Sequence, residues 1–160
     1  TECYFGTNDF YPFVAGELPT GFNQLKPSAT DSVGGPRVFG ATGSVTFDVQ
    51  GPDAADGIVY TVYPSVAAAR QGFEHRSPSD KAAFSSTSTP ADLGATAQCF
   101  NVTSTLAGQT FGATECIVLA GNTEVAGTSA ILGSQGRGDQ DVAVAMAQAG
   151  MRHLQRVSGP

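Results

Sequence analysis

Two cysteines seventeen positions apart, Cys99 and Cys116, constrain this chain more than any other feature, because each lies in a short apolar run with a turn between them. Residues 97–103 (Ala-Gln-Cys-Phe-Asn-Val-Thr) and 114–120 (Thr-Glu-Cys-Ile-Val-Leu-Ala) read as antiparallel strands joined through the glycine-bearing residues 106–112. Pairing them brings the two thiols together, so a Cys99–Cys116 disulfide is expected. Closing a loop of that size is worth about 3 kcal/mol in the chain-entropy model. Structural disulfides persist in oxidising compartments, which sets a secreted or cell-surface location as the expectation.

Around this hairpin the remaining pattern predicts one α+β domain over residues 37–160, preceded by an irregular arm over residues 1–36. Val45, Phe47 and Val49 alternate with polar residues, the signature of a half-buried strand, and residues 58–63 (Ile-Val-Tyr-Thr-Val-Tyr) are apolar on both faces, as suits a strand near the sheet centre. Ser65 caps a short helix over residues 66–73, with Val66, Ala69 and Phe73 on one stripe and Glu74, His75 and Arg76 as its polar exit. Ser77 and Pro78 open a brief further turn through Phe84, and the Ser/Thr-rich residues 85–90 read as a linker back to the hairpin. Gly121-Asn122 is a tight-turn dipeptide leading into a strand over residues 123–131. Asp139 or Asp141 caps a last helix from Gln140 to about Val157, whose apolar arc holds Val142, Ala143, Met146, Ala147, Gly150, Leu154 and Val157. Asp141, Gln148, Arg152, Gln155 and Arg156 fall on the opposite side of that wheel. The expected order is β-β-α-β-β-β-α, an antiparallel sheet of about five strands with helices on one face.

The arm is unlike a solvated tail. It carries Pro12, Pro19, Pro27 and Pro36 among several glycines, yet Tyr4, Phe5, Phe10, Tyr11, Phe13 and Phe22 concentrate aromatic surface that must pack on something. Cover for the chain's own sheet is one reading. The other makes Tyr4, Phe5, Phe10, Tyr11 and Phe13 anchors for a protein partner or a second subunit, with Cys3, the odd cysteine of three, as an intermolecular thiol.

The segment from Gln98 to Val157 resembles a domain type frequent in exported and membrane-anchored actinobacterial proteins of mostly unassigned function. The features carrying the resemblance are Cys99, Gly108, Cys116, Thr123 and the closing Met151-Arg-His-Leu-Gln-Arg-Val157. It covers the last ~60 residues. Such domains often place Trp two and Asp four residues after the second cysteine, where this chain has Val118 and Ala120, and the chain contains no Trp, so no role tied to those side chains carries over.

Charge narrows the partners. Eight basic against fourteen acidic residues give a net charge of −6, and the basic residues are scattered, so no nucleic-acid partner is expected and anionic membrane surfaces are poor partner candidates. No apolar run approaches the ~18 residues of a membrane span, so no transmembrane segment is expected within the chain. No basic and apolar leader opens it, and Thr1 reads as a mature or expression terminus from which any signal or anchor has been removed.

Chemistry has no visible address. His75 and His153 lie in no metal-ligand spacing and no CxxC occurs, so neither a metal nor a cofactor is expected. His153 with Met151 is the one constellation that could ligate a small molecule or haem. Residues 133–138 before the last helix lack the Lys-Ser/Thr of a phosphate loop, and Arg137-Gly138-Asp139 is too short to count as an integrin motif. Asp53 with Asp56 and Asp139 with Asp141 sit where turns and caps want aspartate. The sequence therefore reads as a non-catalytic, extracytoplasmic protein-binding module or assembly subunit. The alternative is a small-ligand or haem-binding protein, or an enzyme, with a site between sheet and C-terminal helix.

Overall fold

In a computed structural model the described residues are 13–24, 41–51, 55–79, 84–88, 93–94, 97–106, 108–133 and 138–158. Strands β1 (Asn23–Gln24), β2 (Gly43–Gln50), β3 (Ala55–Val62), β4 (Phe84–Ser88), β5 (Gln98–Leu106), β6 (Gln109–Ala120) and β7 (Thr123–Leu132) join one sheet in the order β1-β2-β3-β7-β6-β5-β4. Every pairing is antiparallel. Helix α1 (Val66–Ser79) follows β3, and α2 (Gln140–Ser158) follows β7. The fold is thus α+β, with five principal strands and two helices in the order β-β-α-β-β-β-α.

The hairpin of β5 and β6 is longer and its turn tighter than residues 106–112 suggested. Leu106 already pairs with Gln109, and Gly108 makes the reversal at φ 77°, a left-handed conformation that glycine adopts without strain. Cys99 stands directly opposite Cys116, their Cα atoms 4.0 Å apart, and the disulfide joins them. Both half-cystines are buried, at 2% and 0% exposure.

Two edge strands lie outside the expected set. Residues 84–88, of which 85–88 were read as linker and Phe84 as the end of a turn, pair with β5 as β4, an edge strand with one neighbour to satisfy. At the other edge the two-residue β1 pairs Asn23 with Gln50 and Gln24 with Val49. Helix α1 also runs on to Ser79, past the polar exit at residues 74–76. Its cap is as expected, with the Ala68 N–H donating to Ser65 Oγ at 3.1 Å.

The helices lie on opposite faces rather than one. Val45, Phe47 and Val49 of β2, Ile58 and Tyr60 of β3 and Val125 of β7 form one cluster with Met146, Ala149 and Leu154 of α2. Cys99, Cys116 and Val118 pack with Ala143 and Ala147 of the same helix. The intervening residues Phe100, Ile117 and Ala126 form a separate cluster, against which Val59 and Phe73 of α1 pack. Because strand side chains alternate faces, the two sets lie on opposite sides of the sheet. The physical reason is in the central strands: Ile58-Val59-Tyr60, Ile117-Val118 and Val125-Ala126 are apolar at consecutive positions, so both faces need cover.

Candidate functional site

Helix α2 is set by its first turn. The Asp139 carboxylate accepts from the N–H groups of Asp141 at 2.9 Å and Val142 at 3.2 Å, and the Asp139 carbonyl accepts from Ala143 N–H at 3.0 Å. Asp139 is therefore the N-cap, which removes its carboxylate from any Arg-Gly-Asp role. From there the helix lies directly on β7. A Cβ on Gly127 would enter the van der Waals shell of Ala143 O and Ala147 N, and one on Gly150 would come within 2.6 Å of Val125 Cγ1. The Tyr60 hydroxyl donates to Gly150 O at 2.8 Å, fixing the helix axially. Contact this close brings the helix backbone directly onto β7 at these two glycines.

The last turns of α2 carry the most concentrated ionic constellation among the described residues, and its centre comes from the arm. Residues 13–24 cross the end of the helix, with Phe13, Leu18 and Phe22 packed against the cluster under α2. Glu17 folds back on its own segment, its N–H donating to Val14 O at 3.1 Å while Oε2 accepts from Val14 N–H at 2.9 Å. The same carboxylate is paired with the Arg156 guanidinium through Oε1 and Nε, and Oε2 lies 2.9 Å from His153 Nδ1. Arg152 Nη2 donates to the Glu17 carbonyl at 2.9 Å. Phe13 stacks on the His153 ring at 4.0 Å and meets Phe47 edge-on at 5.1 Å.

Burial and charge explain why the arrangement holds. Glu17 is 7% exposed and His153 fully buried, so an unpaired carboxylate here would be costly. Burial by itself raises the Glu17 carboxyl, but the hydrogen bonds from Arg156, His153 and Val14 favour the charged form, aided by the nearby His153 charge. They hold it down at about 2 from an ordinary 4.5. The imidazole faces Glu17 through Nδ1, and its Nε2 is buried without a hydrogen-bond partner among the described residues. Burial pushes the Tyr60 hydroxyl up, and the Glu17 charge adds to that. These groups together make a clamp that ties residue 17 to residues 152–156.

The residues singled out from sequence distribute as follows. Cys99 and Cys116 are joined. Cys3, Tyr4, Phe5, Phe10 and Tyr11 lie outside the described residues. Phe13 is half-buried on His153 and Phe47, so its ring is used within the chain. His153 and Met151 are not brought to one point: His153 sits beneath Phe13 and against Phe47, at a ring separation of 5.8 Å. Met151 instead lines an open groove of about 410 Å³ with Leu93, Val118, Gln148, Arg152 and Gln155. Among the described residues no three His, Cys, Asp or Glu side chains are grouped to hold a metal, and no helix is long and apolar enough to cross a membrane.

Glu17, Arg152 and Arg156 escaped the sequence reading. Both arginines belonged to the polar side of the α2 wheel, and Glu17 to a stretch without period. The one available signal was a lone acidic residue set among Phe13, Leu18 and Phe22.

No family model matches the chain. No curated protein matches it either. Among solved structures it is similar to the extracellular domain of PknH from Mycobacterium tuberculosis, with 11% identity and a TM-score of 0.42 over 71% of this chain and 65% of that one. It is also similar to a protein from Bacteroides thetaiotaomicron VPI-5482, with 14% identity and a TM-score of 0.45 over 82% of this chain and 41% of that one. The chain thus spans under two thirds of either protein's length, and nothing about activity or partner transfers from so distant a likeness.

Proposed function

We propose that the chain is a non-catalytic extracytoplasmic module that binds a protein partner or serves as a subunit of a surface assembly, with its N-terminal arm as the docking element. The observation that carries this reading is the clamp. It fixes Phe13 and Glu17 against the end of α2, so that the preceding aromatic residues Tyr4, Phe5, Phe10 and Tyr11 start from a fixed root on the domain. The acid–base groups gathered there are engaged in holding the arm, which supports a binding role over a catalytic one. A buried disulfide supports an oxidising, extracytoplasmic compartment, where the Cys3 thiol is available to lock a contact between subunits. The sequence resemblance to exported actinobacterial domains points to the same compartment.

Deleting residues 1–12 tests this, because the cut spares Phe13 and the whole clamp. Light scattering across a concentration series is expected to show association in the intact chain and none in the truncated one, with thermal unfolding unchanged. An intact chain without self-association or partner at any concentration tested refutes the proposal.

A second reading keeps one observation in its favour, the groove beside Met151, which is large enough for a small ligand. An absorbance scan of the purified protein decides the haem version, since a Soret band replaces the docking reading with a ligand-binding one.

A further inference from the structure

The groove beside Met151 lies between α2, which supplies Gln148, Met151, Arg152 and Gln155, and a floor formed by Val118 of β6 with Leu93. We propose that it binds a small apolar carboxylate, such as a medium-chain fatty acid, with Arg152 taking the carboxylate and Leu93, Val118 and Met151 the apolar body. This rests on the second reading above, that the groove holds a small ligand, and names the chemical class of that ligand.

The two halves of such a site come from different elements. Gln148, Arg152 and Gln155 stand at i, i+4 and i+7 of α2, so they form one stripe about 10 Å long on the helix. Beneath them Val118 stands two residues from Cys116 on the same face of β6, and Leu93 and Met151 pack against the cluster that contains the disulfide. A floor tied in this way lowers the ordering cost of binding. Met151 adds an unbranched thioether, which adapts to an irregular apolar surface.

Charge selects the head group. Arg152 is the one charged side chain among the described residues that line the groove. Its guanidinium carries several N–H donors, and the bond from Nη2 to the Glu17 carbonyl at 2.9 Å uses one of them while anchoring the group. A planar, anchored fork of donors suits a carboxylate. Gln148 and Gln155, its neighbours on the stripe, bring amides and no competing acid. At a net charge of −6 the chain repels a polyanion over longer range, so a single negative charge on an apolar body is the better match.

The two methionines of the chain make the site observable. Met146 is fully buried in the core under α2 and Met151 lines the groove, so carbon-13 labelling of the methionine methyls gives one NMR signal from the site and one internal control. Titration with decanoate is expected to move the Met151 signal to saturation, with a Kd of about 100 µM or tighter, and to leave Met146 in place. Decanol, the same chain without the charge, should bind about tenfold more weakly. Arg152→Gln should bring decanoate down to the level of decanol. Gln155→Glu, which sets a carboxylate on the exposed rim without touching the core, should do the same. Glu17→Gln keeps the main-chain carbonyl that Arg152 binds and should leave decanoate affinity unchanged; a loss as large as that in Arg152→Gln would trace the effect to a loosened arm and overturn the role of Arg152. Equal affinity for decanoate and decanol, or decanoate binding that neither groove variant weakens, overturns the carboxylate class while the groove reading stands. A Met151 signal that neither probe moves, or that moves only together with Met146, overturns both.

Discussion

Replacing Glu17 by Gln tests the clamp as a source of stability, because the amide keeps the shape of the side chain and removes its charge. The carboxyl falls from 4.5 to about 2 on folding. At ~1.4 kcal/mol per unit the full linkage amounts to ~3 kcal/mol. The Arg156 side chain is 39% exposed, so solvent screening reduces the pair's share, and a loss of about 1–2 kcal/mol on Glu17→Gln is expected near neutral pH. The sign follows from the direction of the shift. A carboxyl whose folded value lies below its unfolded value stabilises the native state above the unfolded value, and that contribution fades as pH falls from 4.5 toward 2. Urea unfolding of both proteins at about pH 7, 4 and 2.5 therefore should show a gap in midpoint that narrows steadily and nearly closes at the lowest pH. A gap of the same size at every pH would mean that the substitution disturbs packing against Phe13 and that the charge contributes nothing.

Further outcomes follow from the packing under α2. Gly127→Ala forces the new methyl against helix backbone, and a loss of about 1–3 kcal/mol is expected in chemical denaturation, with Tyr60 fluorescence reporting any lifting of the helix. Leu154→Ala truncates a side chain 5% exposed and should cost about 2–5 kcal/mol, against little for the exposed Gln155→Ala. Equal midpoint shifts at the two positions would put the wrong face of α2 on the sheet. Changing Cys99 and Cys116 together to Ala removes the cross-strand link at a cost of about 3 kcal/mol, measured as a lower thermal midpoint that reducing agent no longer alters.

What could be read from sequence was whatever local periodicity encodes. The alternation of Val45, Phe47 and Val49, the facing cysteines and the arc from Val142 to Val157 each fix an element and its buried side without reference to distant residues. Strand β4 was hidden because Phe84-Ser-Ser-Thr-Ser88 has no apolar alternation, and an edge position asks for none. The placement of α1 was misread because consecutive apolar residues in β3, β6 and β7 show that both faces are buried without saying which helix covers which. Glu17 was invisible as a partner of Arg156, since two charges 139 positions apart leave no trace in either neighbourhood.

Strand β7 lies at the middle of the sheet although only α2 follows it among the regular elements, and this fixes a timetable for folding. The pair β2–β3 and the trio β4–β6 do not touch as neighbours in the sheet. Each has one long edge open until residues 123–132 are inserted between them. During synthesis residues 1–120 therefore form at best two incomplete ribbons, and the sheet closes in one late step. Until then the bare edges of β3 and β6 are free to pair with other nascent chains. Exposure to aggregation is thus greatest just before completion, and a pause in elongation near Ala120 is more hazardous than one near Ser65.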